Sequence, residues 1–292
     1  MKVNGYKITA DNSNTTLLEL YNSTVEQGTT LKNREHHHTQ FEISLFKSGS
    51  GEYTVGDKVY KFRPGDVFIF STHEQHCITR VDEGESMLLM NIQFEPRFIW
   101  SAYNDLMGLK FLGIFFNRNE RFENRLDRDN PATVEICRLM LRMEEEFRQT
   151  KAEYELMVKV ILLNILVNLM RDFSYTEKYK SYDVDSESLM RIENAIEFID
   201  ENITEEIKLE DVAKAANISR AYFCTVFKKL NGITVWDYIT TKRIELSMKT
   251  IRDSNKTMLE IACECGFNNT ANFNRAFKKI TGITPSQYKN RR

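Results

Sequence analysis

Four side chains have the types and spacing to bind something: His36, His38, Glu42 and His76. On a strand, residues two apart share a face, so His36 and His38 can point to the same side. Glu42 adds a carboxylate and His76 a third imidazole from another strand. Together they suit a divalent ion such as zinc, nickel, manganese or iron. The same groups at the mouth of a barrel equally suit hydrogen bonds to a polar organic ligand. The residue types leave both readings open. His37 alternates to the opposite face and His73 sits among turn residues, so both read as surface.

A second set of residues, near the other end, suits different chemistry. The string FKKxxGIT occurs twice. Phe223, Phe227, Lys228, Lys229, Gly232 and Tyr238 recur as Phe273, Phe277, Lys278, Lys279, Gly282 and Tyr288 at an offset of 50. Upstream, Val212, Ala213 and Ile218 recur as Ile261, Ala262 and Phe267 at an offset of 49. This is a duplicated helical unit. Each copy has a short helix, a tight turn and a longer helix with a Phe stripe, the logic of a helix-turn-helix whose second helix lies in a DNA major groove. Tyr222 is expected on the buried side of the first such helix. The outer faces then carry Arg220, Ala221, Cys224, Thr225 and Lys228 in the first copy, and Thr270, Ala271, Asn274, Arg275 and Lys278 in the second. Asn and Arg are suited to bidentate contacts with adenine and guanine edges, whereas Ala221 and Cys224 offer little beyond apolar contact. Arg220, Lys228, Lys278 and Lys279 flank the reading faces and are expected at phosphates.

The elements that must position these residues fall into consecutive regions. Residues 1–130 show short apolar, β-branched and aromatic runs cut by turns: FEISLF, GEYTV, KVYKF, DVFIF and MLLMNIQF. They predict an antiparallel sandwich or barrel. Residues 131–173 switch to a helical period. Ile136, Leu139, Met140, Met143 and Phe147 share one face of a first helix, and Leu156, Val160, Leu163, Val167 and Met170 one face of a second. The second helix has further apolar surface at Ile161, Leu162, Ile165 and Leu166, so a homodimer through this segment is expected. Residues 174–188 are polar and aperiodic and read as a linker. Residues 189–292 are helical throughout, with one long helix over Thr234–Ile251 joining the two copies, and Trp236, Ile239, Ile244, Met248 and Ile251 expected inward. Such a rod would hold two readers at fixed separation, as two successive major-groove faces about 34 Å apart require.

Composition narrows the function class. The 292 residues carry 40 Lys and Arg against 42 Asp and Glu, which excludes a globally basic nucleic-acid binder. From Ser219 onward, however, 14 Lys and Arg face 5 Asp and Glu, so the basic charge is concentrated on the helical end. Five scattered Cys with no CxxC pair suit a reducing compartment. The first residues show no apolar signal segment. The apolar run Val160–Met170 is too short to span a bilayer and contains Asn164 and Asn168. A cytoplasmic protein without membrane partners is expected. No nucleophilic triad, P-loop or dinucleotide motif is apparent.

At this point the chain resembles the AraC/XylS family of bacterial transcription regulators. The first copy carries the resemblance on Leu209, Val212, Ala213, Ser219, Tyr222, Phe223, Phe227, Lys228, Lys229 and Gly232, with Arg243 on the connecting helix. The second carries it on Ile261, Ala262, Gly266, Phe267, Phe273, Phe277, Lys278, Lys279, Gly282, Pro285 and Tyr288. The resemblance implies an α+β multidomain protein: a cupin-like effector-sensing β-barrel, a helical dimerisation segment and an all-α domain with two helix-turn-helix units. His36, His38, Glu42, Gly49, Gly65–Asp66 and His76 look like the paired cupin motifs. Base-facing positions carried over from the family fall on Ala221, Cys224, Thr225, Thr270, Ala271, Asn274 and Arg275. The family implies double-stranded DNA as partner, a small polar effector, often a sugar, in the barrel at His36, His38, Glu42 and His76, a homodimer, RNA polymerase for an activator, and no enzyme activity or cofactor. The alternative is a divalent metal at those four residues, in a metal sensor or a metal-dependent cupin enzyme fused to a DNA-binding tail.

Overall fold

The computed structural model describes residues 2–9, 16–28, 39–72, 74–84, 86–99, 111–116, 118–173, 186–254 and 256–290. His36, His37, His38, His73 and residues 174–185 of the expected linker lie outside them. The chain divides into two compact units, Met1–Leu31 with Gln40–Ser71 and Ile78–Asp183, and Lys32–Thr39 with Thr72–Cys77 and Val184–Arg292.

Eight strands run in sequence among the described residues: β1 (Lys2–Thr9), β2 (Thr16–Val25), β3 (Phe41–Ser48), β4 (Gly51–Val55), β5 (Lys58–Phe62), β6 (Val67–Phe70), β7 (His76–Val81) and β8 (Met87–Phe94). They form two sheets, in the orders β1-β2-β8-β3-β6 and β5-β4-β7. Side chains alternate across each sheet. Phe46 of β3, Phe68 and Phe70 of β6, and Met87 and Leu89 of β8 therefore meet Tyr53, Val55, Phe62 and Val81 from the second sheet in one buried cluster. Its rings pack closely, with Phe46 stacked on Phe62 at 3.9 Å and Tyr53 edge-on to Phe68 at 4.9 Å. The runs read from sequence missed β1, β2 and β7. β1 is an edge strand carrying Lys2, Asn4, Gly5 and Lys7, and β7 interleaves Thr79 and Arg80 with its apolar residues, so neither shows a continuous apolar run.

Two short helices, α1 (Pro96–Ile99) and α2 (Gly113–Phe116), follow. Two long ones, α3 (Pro131–Gln149) and α4 (Tyr154–Asp172), pack on each other. Asn130 caps α3 by accepting from the Ala132 N–H at 2.9 Å, and Pro131 occupies the first position, where its missing N–H costs nothing. α3 buries Ile136, Leu139, Met140, Met143 and Phe147, as its period requires. Tyr6 stacks on Phe147 at 5.4 Å, and Glu144 takes hydrogen bonds from Asn22 and Lys47, so this helix covers the large sheet's outer face.

α4 corrects the sequence reading. It buries Val158, Ile161, Leu162, Ile165, Leu166 and Leu169, while Leu156 and Val160 are 60% and 51% exposed. Both sides of this helix are apolar, so period alone could not say which faces the domain. The wider side, with two adjacent branched pairs, buries more area and turns inward.

The second unit contains α5 (Ser186–Glu201), α6 (Leu209–Ala215), α7 (Arg220–Asn231), α8 (Val235–Asp253), α9 (Met258–Glu264), α10 (Thr270–Thr281) and α11 (Pro285–Lys289). α5 starts inside the stretch read as linker and buries Ser188, Leu189, Ile192, Ala195, Ile196 and Ile199. α8 is the expected connecting rod, but it does not bury one continuous face. Its first half buries Val235, Tyr238 and Ile239 and its second half Ile244, Ser247 and Ile251, roughly opposite each other at 3.6 residues per turn. A rod gripped by a different partner at each end must do this. Trp236 follows the phase of the far half, and it is 47% exposed rather than inward.

Candidate nucleic-acid interface and effector site

The two copies fold by the same local chemistry. In the first, Asn217 takes a left-handed φ of 52° at the turn, and Ser219 caps α7 by accepting from the Tyr222 N–H at 3.3 Å. In the second, Gly266 holds φ 81° at the turn, and Asn269 caps α10 by accepting from the Asn272 N–H at 2.8 Å. Both long helices end on a left-handed glycine. Gly232 donates to the Lys228 carbonyl at 2.8 Å and Gly282 to that of Lys278 at 2.9 Å.

The cores repeat as well. Phe223 meets Phe227 at 5.6 Å and Phe227 meets Tyr238 at 5.5 Å; Phe273 meets Phe277 at 5.7 Å and Phe277 meets Tyr288 at 5.5 Å. All four Phe are fully buried. Each contributes roughly 1.5–3 kcal/mol of burial. Tyr222 departs from its expected place. It is 43% exposed, and its hydroxyl lies 2.9 Å from the Ser188 hydroxyl of α5.

With the Phe stripes inward, the opposite faces are open. Arg220, Ala221, Thr225 and Lys228 are exposed and Cys224 is half-buried. The Thr225 hydroxyl donates back to the Ala221 carbonyl at 3.0 Å, which leaves the first face poor in free donors. On α10, Ala271, Asn274, Arg275, Lys278 and Lys279 are exposed and Thr270 half-buried. Two of the expected phosphate residues are paired within the protein: Arg220 with Glu210 at 2.7 Å, and Lys279 with Asp237 at 3.8 Å.

In the first unit, Glu42 is buried. It accepts from the Ser44 hydroxyl at 2.6 Å and from the Gln93 amide at 2.6 Å, and Ser44 also lies 2.8 Å from the Asn91 side-chain oxygen. Register explains the cluster. Glu42 sits across from Gln93, Ser44 from Asn91, and Tyr21 from Asn91 on the third strand. Alternation puts these residues on the same face as Phe46, Met87 and Leu89, the face that looks between the sheets. Burial pushes the Tyr21 phenol well above its ordinary value, the Glu42 and Glu19 charges add to this, and a hydrogen bond with Asn91 opposes it. One end of the space between the sheets is thus aromatic and the other carries a carboxylate, two amides, a hydroxyl and a phenol.

Tyr21, Ser44, Asn91 and Gln93 were missed by sequence reasoning. The available signal was a polar residue at every second position inside apolar runs, Glu42 and Ser44 in FEISLF and Asn91 and Gln93 in MLLMNIQF. His76 is buried, with its Nδ1 2.8 Å from the Glu74 carbonyl oxygen. It belongs to the stretch Thr72–Cys77 grouped with the second unit, whereas Glu42 belongs to the first. No cluster of three metal-ligating side chains occurs among the described residues, which do not include His36 and His38. No helix among the described residues is long and apolar enough to cross a membrane.

Comparison with known proteins finds two family matches on this chain. An AraC-like ligand binding domain matches residues 24–166, and a helix-turn-helix domain matches residues 212–291. The melibiose operon regulatory protein of Escherichia coli is 24% identical over 262 residues, covering 87% of this chain and 82% of that one. The transcriptional activator RhaR of Mannheimia succiniciproducens is 21% identical, covering 88% of this chain and 87% of its own. Among solved structures, ToxT of Vibrio cholerae superposes with a TM-score of 0.56 at 15% identity, over 94% of this chain and 98% of that one, a likeness of fold.

Proposed function

This chain belongs to the AraC/XylS family of transcription regulators, with a ligand-binding domain before a helix-turn-helix domain, and from that premise we propose that it is a homodimeric, carbohydrate-responsive regulator that reads an asymmetric DNA site with α7 and α10. The observation that carries the reading is the duplicated unit: two capped helices with matching Phe cores and outward faces, joined by one rod gripped at both ends. Specificity rests mainly on α10, where Thr270, Ala271 and Asn274 face outward, while Ala221, Cys224 and Thr225 supply apolar contact to thymine methyls. Arg220, Lys228 and Lys278 supply charge toward phosphates.

The effector site is the polar end of the space between the sheets. A carboxylate and two amides can each bond adjacent hydroxyls, the pattern a sugar presents. A relative named as the melibiose operon regulatory protein supports a saccharide. Glu42 stays in this site, joined by Tyr21, Ser44, Asn91 and Gln93; His36, His38 and His76 are the remaining candidates. A divalent metal at His36, His38, Glu42 and His76 is the alternative, tested by metal analysis of untagged protein.

The dimer forms through the outward side of α4, whose Leu156, Val160, Leu163 and Val167 line up at helical spacing beside Asn164. An activator would in addition contact RNA polymerase. Sugar titration of the full chain by calorimetry tests the effector reading. Heat of binding lost in Gln93→Leu supports it, and binding unchanged by both Gln93→Leu and Ser44→Ala places the site elsewhere.

A further inference from the structure

Between α8 and α10 the second copy leaves a cleft of about 410 Å³, with Arg275, Lys279, Asn272 and Asn268 on one wall and Thr240 and Asp237 on the other. Resting on the DNA-binding reading above, we propose that this cleft seats one backbone phosphodiester of the bound duplex, and that Arg275 serves this phosphate rather than a base edge.

Helix geometry supports the assignment. At 3.6 residues per turn, Thr270, Ala271, Asn274 and Lys278 cluster on one face of α10, while Asn272, Ala276 and Lys279 cluster on the flank toward α8. Arg275 lies on the border and lines the cleft. It is exposed and, among the described residues, makes no ion pair. A strand following the lip of the major groove runs beside the flank of an inserted helix, where a cleft lined by the exposed Arg275 and by Lys279, the latter held near Asp237, meets a phosphate.

The repeat offers an internal control. α5 precedes the first copy as α8 precedes the second. Residue 272 is Asn in the second copy and its counterpart is Tyr222, whose hydroxyl lies 2.9 Å from Ser188 of α5. The counterpart of Arg275 is Thr225, bonded to its own helix. The change of offset from 49 to 50 marks one extra residue in the second copy, and because Ser219 and Asn269 are both caps, that residue is Asn268. The second copy alone has a small amide in place of the tyrosine, a guanidinium in place of the threonine, and an added amide, all on the cleft.

Asp237 acts as a placeholder. Its carboxylate accepts from the Thr234 hydroxyl at 2.6 Å and lies 3.8 Å from the Lys279 ammonium. An arriving phosphate takes over Lys279 and meets repulsion from Asp237.

The experiment pairs the full-length protein and its Arg275→Gln and Lys279→Gln variants with operator duplexes that each carry one neutral methylphosphonate. At one position in the second half-site, the neutral linkage should weaken wild type about tenfold and either variant far less. Asp237→Asn should tighten binding to specific and random duplexes alike, by a few-fold. Losses that add at every phosphate position, with Arg275→Gln instead relaxing preference at one base pair, would overturn the proposal. So would weakening by Asp237→Asn with normal helicity. Saturation of the Arg275 side-chain resonances by millimolar inorganic phosphate, with no position-specific methylphosphonate effect, would assign the cleft to a free oxyanion and also overturn it. Wild type showing no sequence preference would defeat the regulator reading itself, a separate outcome.

Discussion

Gly266 leaves the room that Arg243 occupies. A Cβ placed on Gly266 would lie 2.8 Å from the Arg243 Nε and 2.9 Å from its Cζ. From that position Arg243 donates through Nε to the Ile203 carbonyl at 2.8 Å and through Nη2 to the Glu205 carbonyl at 2.6 Å. The turn of the second reader, the connecting rod and the loop before the first reader meet at one guanidinium. Gly266→Ala adds a left-handed strain at φ 81° to this clash. It should destabilise the helical unit by roughly 2–3 kcal/mol in urea unfolding, and a loss below 0.5 kcal/mol would show that the contact is dispensable.

Asn274 stands outward at the centre of the α10 face. Asn274→Ala should relax preference at one base position, at a cost of about 1–3 kcal/mol on the preferred site, with random DNA unaffected. Equal weakening on all sequences, measured by competitive titration, would remove it from base reading.

The two sides of α4 separate folding from assembly. Val160→Glu, on the outward side, should yield a folded monomer in sedimentation at micromolar concentration. Leu162→Glu, on the buried side, should unfold the first unit. A dimer unaltered by Val160→Glu and Leu163→Glu together would place the interface on another surface.

Much of this was legible in the sequence because the relevant signals are local. The repeat, the tight turns between the paired helices and the Phe stripes need only a few consecutive residues. What the sequence left undecided depends on which partner an element meets. Period 3.6 marks two apolar sides on α4 but not which buries more area. A single-face reading of α8 fails because opposite halves meet different cores, and Trp236 follows the phase of the half it does not lie in. Glu42 was found as a lone carboxylate. Its companions Ser44, Asn91 and Gln93 emerge only when the register of three strands brings them together.

Two thiols carry a pH signature. Burial pushes Cys137 and Cys265 up to about 11, with the Asp66 charge adding for Cys137. An unfolded thiol ionises near about 8.5, so between these values the folded chain binds more protons than the unfolded one. The stability this confers is full below about pH 8.5 and is lost as pH rises toward 11. Urea unfolding at pH 7.5, 9 and 10.5 should show falling stability, and Cys137→Ala with Cys265→Ala should flatten that fall. An unchanged slope would contradict the assignment.

The central claim, that a ligand in the first unit governs sequence-specific DNA reading by the second, is tested most directly by selecting bound duplexes from a random library with the full-length chain, with and without a carbohydrate panel, then titrating the selected site. The account expects an enriched sequence with two elements about one helical turn apart. It expects one sugar to shift the affinity for that sequence by roughly 5–150-fold, an ordinary allosteric coupling, and Gln93→Leu to abolish the shift while leaving sugar-free binding intact. No enriched sequence, or an affinity that no sugar changes, would contradict it.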